Sequence, residues 1–227
     1  MLTIAMTVYK RTRYTDNTIR SIIKNKNNKI EFLILLDKPW EEEDSHLADL
    51  LENRNVFDWT IKIYKQKSDL CLNWLRNKVF ELASNENILV INDDIELSKD
   101  FDEIIESKLW WNIVNPLYET PYEEGLRYKD DNISWHARAI KHSDRLKIWP
   151  IDERLKLWYW DDYIFRQAKD KWIDIEWISE VLVYHHYSKT VNNPEVEQRV
   201  KSVINQDMKA RKEILKEKSR KDFRFLN

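Results

Sequence analysis

Gly125 is the only glycine in a chain of 227 residues. A chain of this length carries roughly fifteen glycines on average. The phosphate-binding P-loop and the dinucleotide turn of the Rossmann fold each need several glycines at fixed spacing. Neither turn can form here, so a metal ion or an arginine is the expected partner for the phosphates of any bound nucleotide.

The composition predicts one folded domain without a membrane helix. Hydrophobic residues make up 42% of the chain and charged residues 34%, which excludes a disordered protein. Cys71 is the only cysteine, so neither an intrachain disulfide nor a cysteine zinc site is expected. The chain has no apolar run of membrane-spanning length, and residues 2–8 indicate a buried strand rather than a signal peptide. Together these features predict a cytoplasmic protein.

The charge balance weakly disfavours DNA as a partner. The chain has 38 Lys and Arg residues against 40 Asp and Glu residues, for a net charge of −2. Proteins that neutralise a phosphate backbone usually carry a basic excess. The lysine-rich segment at 201–221 leaves a local phosphate contact open, although a solvated helix face is the more common interpretation.

Strand and helix patterns alternate through the first half of the chain. Apolar segments predict strands at 2–8, 30–36, 59–64 and 88–91. Stripes of apolar residues at helical spacing lie between them, including one with Leu47. This pattern predicts an α/β fold with a parallel sheet and helices on both faces. Ligands of such sheets bind at the carboxyl ends of the strands.

The second half of the chain is less regular. Its patterns predict a helix at 101–114, a long loop at 116–131, a strand at 133–141, a helix at 163–169, strand structure at 173–184 and a final helix from Pro194 to about 218.

Three polar pairs or triplets are candidates for chemistry. Asn92, Asp93 and Asp94 follow an apolar strand, and crowded oxygen ligands suit Mg²⁺ or Mn²⁺. The alternative is an ordinary turn, which Asn and Asp also favour. His185-His186 ends a second strand, where adjacent residues point to opposite faces, so at most one should face a given site. Asp161-Asp162 lies at a helix start, where one aspartate can cap the helix while the other faces a cleft.

Taken in order, several motifs resemble the family 2 glycosyltransferases of the GT-A fold. They cover about residues 2–190 and are LTIAMTVYKR at 2–11, EFLILLD ending at Asp37, NWLRN at 73–77, ILVINDDIEL at 88–97, IDERL at 151–155, WYWDD at 158–162 and VLVYHH at 181–186. Asn92 replaces the first aspartate of the usual Asp-x-Asp signature, and two customary glycines are missing, one of them at Lys171. The chain therefore resembles a divergent member, and its composition is compatible with an AT-rich, viral genome.

The resemblance implies an architecture and an activity. It implies a GT-A domain at 1–193, with a mainly parallel central sheet flanked by helices, a nucleotide-sugar half at 1–97 and an acceptor half at 98–193. Residues 194–227 would form a C-terminal helical extension. The implied reaction moves a sugar from a nucleotide diphosphate, expected to be UDP, to a hydroxyl. The acceptor would be a glycan or a hydroxymethylated base in viral DNA.

The resemblance also assigns roles to residues. Asp94 and one of His185 and His186 would hold Mn²⁺ or Mg²⁺. Asp162, with Asp161 as the second choice, would be the general base of an inverting reaction, although a retaining one stays open. The implied nucleotide-sugar-binding residues are Thr7, Tyr9, Arg11, Asp37, Arg76, Asn92 and Asp93. The implied acceptor-binding residues are Trp135, Trp158 and Trp160.

Two other functional classes fit parts of the pattern. A nucleotidyltransferase can have a similar sheet with metal-binding aspartates, but it usually carries a glycine-rich loop. A catalytically inactive nucleotide-sugar-binding module fits Asn92, whereas the remaining acidic residues and the histidines speak against it.

Overall fold

The computed structural model describes residues 1–9, 13–37, 60–66, 71–110, 113–120, 123–127, 136–148, 150–186 and 194–224. The strands in these residues are β1 (Leu2–Val8), β2 (Ile30–Asp37), β3 (Thr60–Gln66), β4 (Asn87–Asn92), β5 (Ile95–Leu97), β6 (Ile113–Thr120), β7 (Glu123–Arg127), β8 (Ala137–Lys141) and β9 (Ile175–His185). The helices are α1 (Arg13–Asn25), α2 (Leu72–Leu82), α3 (Phe101–Lys108), α4 (His142–Ile148), α5 (Trp160–Asp170) and α6 (Pro194–Arg224).

The strands form one mixed sheet in the order β3-β2-β1-β4-β8-β6-β9-β5, with β7 paired to β6. The first four strands are parallel. Strand β8 runs antiparallel to both β4 and β6, whereas β6 and β9 are parallel. The carboxyl ends of β1, β2, β4, β6 and β9 therefore lie along one edge, which we call the carboxyl edge. The α/β class is confirmed, and the antiparallel pairs make the second half of the sheet less parallel than expected.

The core lies on both faces of the sheet, as expected for strands that are apolar on both sides. Ile4 and Met6 of β1 pack in the same buried cluster as Ile19 and Ile22 of α1. Ala5, between them, packs on the other face with Leu75 and Val79 of α2. Alternating β1 residues thus hold a helix on each face of the sheet.

The main errors of the sequence prediction fall between residues 109 and 131. The predicted helix at 101–114 ends at Lys108, and β6 begins at Ile113. The predicted loop at 116–131 contains the end of β6 and all of β7. Proline lacks the backbone N–H that a ladder uses, and the β6–β9 register shifts between Pro116 and Leu117. That irregularity lets a proline sit within the strand.

Other differences concern element ends. Strand β8 covers Ala137–Lys141, and α6 continues to Arg224. Residues 133–135 of the strand predicted at 133–141 lie outside the described residues. The predicted helix around Leu47 lies outside the described residues. None of the described helices is long and apolar enough to cross a membrane.

Candidate active site

The carboxyl edge gathers most of the predicted site residues. Thr7 and Asn92 are register partners at the ends of β1 and β4, and Asp37 ends β2. The Oγ1 atom of Thr7 is buried and has no hydrogen-bond partner among the residues that the structure describes. Because a buried hydroxyl without a partner is unfavourable, this atom marks the edge as a place for a ligand.

Asp94 and His185 form a buried pair at this edge. Each residue is 3% exposed, and His185 Nε2 lies 3.3 Å from Asp94 Oδ2. The β5–β9 register brings them together by pairing Ile95 with His185. An acidic oxygen and an imidazole nitrogen thus lie side by side beyond the end of β4.

His186 occupies a separate environment. Its Nε2 lies 2.8 Å from Glu96 Oε1, and its ring contacts Tyr14 at a centroid distance of 5.3 Å. The His186 backbone N–H donates to the Asp94 carbonyl at 2.9 Å. Of the two histidine side chains, however, that of His185 lies beside the Asp94 carboxylate, in line with the alternation of side chains along a strand.

His136, which sequence reasoning missed, stacks on His185. The ring centroids are 3.4 Å apart and the planes differ by 16°. His136 Nδ1 lies 3.2 Å from Asn92 Nδ2, and the edge of the Tyr118 ring is close by. Burial, and then the neighbouring His185, hold the pKa of His136 well below its usual range. The His136 imidazole that stacks on His185 is therefore neutral at neutral pH.

Two buried arginines lie on one tryptophan ring. The guanidinium carbons of Arg76 and Arg138 are 4.4 Å and 4.9 Å from the centroid of the Trp160 ring. Such contacts stabilise cations over aromatic faces. Arg138, from β8, is the second site residue that the sequence analysis missed. Its sequence signal is a charged residue between Ala137 and Ala139 in β8.

Hydrogen bonds hold both guanidinium groups in place. Arg76 donates to Asn73 Oδ1 at 2.8 Å and to Asn92 Oδ1 at 3.4 Å, while Arg138 Nε donates to Asn115 Oδ1 at 3.3 Å. Burial lowers the pKa of Arg76 to about 10, opposed by the charges of Asp161 and Asp93. Arg76 therefore stays a cation at neutral pH.

Asp161 lies close to these arginines, whereas Asp162 does not share their contacts. Burial raises the pKa of Asp161, while its bond from the Asp162 N–H and the charges of Arg138 and Arg76 oppose that rise. The Asp162 carboxylate pairs with Arg166 Nε at 3.2 Å and Arg211 Nε at 2.7 Å. The sequence favours Asp162 as the base, but it is Asp161 on which the charges of Arg138 and Arg76 act.

Three more predicted nucleotide-binding residues are engaged within the protein. Tyr9 is 2% exposed and packs with Val200 and Val203 of α6. Asp37 accepts hydrogen bonds from Gln66 Nε2 at 2.8 Å and from the Cys71 N–H at 2.7 Å. Asp93 is buried, and its charge favours the cationic form of Arg76.

The predicted acceptor-binding tryptophans differ in exposure. Trp160 is 7% exposed, and both guanidinium groups lie over its ring. Its ring therefore packs against the arginines and is not exposed to an acceptor. Trp158 is 42% exposed and lies beside Tyr159. Trp135 and Arg11 lie outside the described residues.

Asp94 and His185 suit a divalent cation whose remaining ligands come from a bound substrate. Within the described ranges, no group of three or more His, Cys, Asp or Glu side chains is arranged to bind a metal. Asp94 and His185 nevertheless offer one oxygen and one nitrogen, ligand types that Mn²⁺ accepts. Ions at phosphate-transfer sites commonly use one or two carboxylates and complete their shell with substrate phosphates and water. The residues present therefore fit a metal shared with a bound diphosphate.

Comparisons with known proteins concern the family and the fold. Residues 3–112 match the family described as Glycosyl transferase family 2. The structure is similar to S. aureus TarS 1-349, with a TM-score of 0.65 and 11% identity, covering 82% of this chain and 60% of that one. Its complex with UDP gives a TM-score of 0.66 at the same identity and coverage. A search of curated protein sequences finds no match.

A second similar structure is GalNAc-T7 with UDP, GalNAc and Mn²⁺. Its TM-score is 0.64 at 13% identity, over 85% of this chain and 44% of that one. The chain thus spans less than two thirds of the length of these proteins, and identities this low show a shared fold. The family match over residues 3–112 and these similarities together show a GT-A fold of the family 2 glycosyltransferase type.

Proposed function

We propose that the chain transfers a sugar from a UDP-sugar to an acceptor hydroxyl in a metal-dependent reaction that inverts the anomeric carbon. The observation that carries the proposal is the buried Asp94–His185 pair, which lies at the same edge as Arg76 and Asn92. The Thr7 hydroxyl at this edge is buried without a hydrogen-bond partner among the described residues. The UDP complexes of TarS and GalNAc-T7 support UDP as the nucleotide.

The donor half supplies groups for a diphosphate. Asp94 and His185 would hold Mn²⁺ or Mg²⁺, which as a Lewis acid stabilises the negative charge on the departing diphosphate. Arg76 lies on the neighbouring helix with its guanidinium beside Asn92, so its charge is directed to the same edge. Thr7 Oγ1 offers a hydroxyl to the nucleoside. The residues proposed to bind the donor therefore come from four elements: β1, the end of β4, β9 and α2.

The acceptor half supplies a base. We assign this role to Asp161, because burial raises its pKa and makes the carboxylate a better proton acceptor. The charges of Arg138 and Arg76 favour the ionised form of that buried carboxylate. Asp161 would take the acceptor proton as the hydroxyl attacks, and the exposed Trp158 ring would face the acceptor. One base acting in a single displacement is the general acid–base arrangement of an inverting transfer.

An inactive donor-binding module is the second candidate, favoured by the uncharged Asn92. Such a module would bind the nucleotide-sugar as the proposed enzyme does, but it would not release UDP from it.

We expect UDP with Mn²⁺ to raise the melting temperature, because a ligand that binds only the folded state stabilises it by about 2.7 kcal/mol at 100 times its Kd. Thermal unfolding with UDP, Mn²⁺ or both measures this, with AMP and Mn²⁺ as the control. Release of UDP from UDP-sugars then separates the enzyme from the module. No stabilisation by UDP and Mn²⁺ would contradict donor binding.

The pH dependence should depend on Arg138. The base must be ionised, so turnover should rise with pH through the pKa of Asp161. Arg138→Met removes a cation that lowers this pKa, so the acid limb should move to higher pH. The comparison is kcat against pH for this variant and for Arg166→Met, whose arginine pairs with Asp162 instead. If kcat falls at the same acidic pH in both variants, Asp161 is not the base.

A further inference from the structure

Helix α6 holds the turn that precedes the proposed base. Asp207 of α6 is 0% exposed. Its carboxylate accepts the backbone N–H groups of Lys156, Leu157 and Trp158 at 2.9, 2.8 and 2.7 Å. Hydrogen bonds to an ionised, buried carboxylate are among the strongest in proteins. One side chain of α6 thus fixes three consecutive residues of the turn.

The same turn is held from its other side by α2. The Asn73 backbone N–H donates to the Lys156 carbonyl at 2.9 Å. The Asn73 side chain donates to the Leu155 and Trp158 carbonyls at 3.1 and 3.3 Å, and its oxygen accepts from Arg76. The turn between α2 and α6 is therefore connected through Asn73 to Arg76, an arginine of the donor half.

Contacts of α6 continue on both sides of the turn. Arg154 pairs with Glu217 through two hydrogen bonds at 2.8 and 2.9 Å. Arg211 pairs with Asp162, directly after the proposed base. Leu157 itself packs against the buried cluster that α6 forms with Tyr9. Helix α6 therefore contacts the segment before, within and after the turn that leads to Asp161.

We infer that Asp207 is a positioning residue for the acceptor side of the site, and that α6 is a working part of that site rather than an appendage. This inference rests on the proposed transfer reaction. Trp158 is bound directly by Asp207, and Trp160 and Asp161 begin α5 two and three residues later. By holding this turn, the Asp207 carboxylate fixes the positions of Trp158 and of the proposed base, Asp161, relative to the donor.

The chain offers a matched control at the opposite edge of the sheet. Asp102 of α3 is also 0% exposed, and its carboxylate accepts the backbone N–H groups of Asn27 and Asn28 at 2.7–3.1 Å. These residues precede β2, at the amino ends of the parallel strands. Asp102→Asn therefore weakens a comparable buried cluster of hydrogen bonds far from the carboxyl edge.

The test compares Asp207→Asn with Asp102→Asn by two measurements: UDP affinity by calorimetry with Mn²⁺, and kcat for release of UDP from UDP-GlcNAc. Both variants should lose thermal stability and keep UDP affinity near the wild-type value. Only Asp207→Asn should lower kcat, on the order of 10- to 100-fold, as expected when a catalytic group is displaced by about 1 Å.

Equal kcat values for the two folded variants would overturn the inference while leaving the proposed function standing. A wild-type chain that neither binds UDP nor releases it from UDP-sugars would overturn the proposed function, and the inference with it. If Asp207→Asn does not fold, Asp207→Glu replaces it in both assays. The longer side chain keeps the charge but moves the turn, so the same selective loss of kcat is expected, and its absence would overturn the inference.

Discussion

Asp161→Asn is expected to lower turnover about 10²- to 10⁴-fold, the usual contribution of a positioned general base. UDP affinity should stay near the wild-type value, because the change leaves Asp94, His185 and Arg76 in place. The asparagine can still accept the Asp162 N–H through its side-chain oxygen, so the start of α5 is preserved. Release of UDP from UDP-GlcNAc and calorimetric titration with UDP measure the two quantities separately.

Asp162→Asn is the matched control. Its carboxylate pairs with Arg166 and Arg211 at a partly exposed position, so we expect a loss of stability of about 1 kcal/mol or less and a small change in kcat. The reverse pattern, with Asp162 essential and Asp161 dispensable, would return the base to the residue that the sequence alone favours. If both variants kept normal turnover, neither aspartate would be the base.

Asp94→Ala is expected to remove the effect of Mn²⁺ on donor binding and to lower turnover by about 10²-fold or more, because metal stabilisation of a leaving group is worth several kcal/mol. The physical reason is that Asp94 joins the ion to the protein. UDP affinity should be the same with and without Mn²⁺ in this variant, and calorimetry under both conditions checks it.

His186→Asn provides the comparison for the metal site. The His186 side chain contacts Glu96 and Tyr14, and the substitution keeps the backbone N–H that bonds to the Asp94 carbonyl. This variant should therefore keep the wild-type response of UDP affinity to Mn²⁺. Full activity of Asp94→Ala would contradict the metal assignment. A lost Mn²⁺ response in His186→Asn would exchange the roles of the two histidines.

The first half of the fold is readable from the sequence because its strands are buried on both faces. Residues 2–8 and 30–36 are mostly apolar, and in the structure both segments lie within fully buried strands. The region at 109–131 was not readable, because Pro116 and Gly125 are typical of loops. Tertiary pairing with β9 and β6 overrides that local preference, as it often does for strands.

The candidate site was readable where its residues end strands. Asp94 and His185 follow apolar runs and were predicted on that basis. His136 and Arg138 were missed because both belong to β8, whose contribution depends on pairing with β4 and β6. No local pattern shows that a strand 45 residues later will insert beside β4.

The choice between the adjacent aspartates also depends on tertiary contacts. Their positions at a helix start are alike, and only the partners of each carboxylate separate them. Asp162 finds Arg211 on α6, a helix that the sequence indicated mainly as a charged extension. Domain halves, source and acceptor identity stay predictions, because they depend on ligands and partners that local patterns do not encode.

A crystal structure with UDP and Mn²⁺ tests the central claim most directly, because it shows where a diphosphate binds. We predict the diphosphate at the carboxyl edge beside Arg76, with the ion about 2.0–2.3 Å from an Asp94 oxygen and from His185 Nε2. UDP bound elsewhere on the chain, or bound at this edge without an ion ligated by Asp94 and His185, would contradict the account.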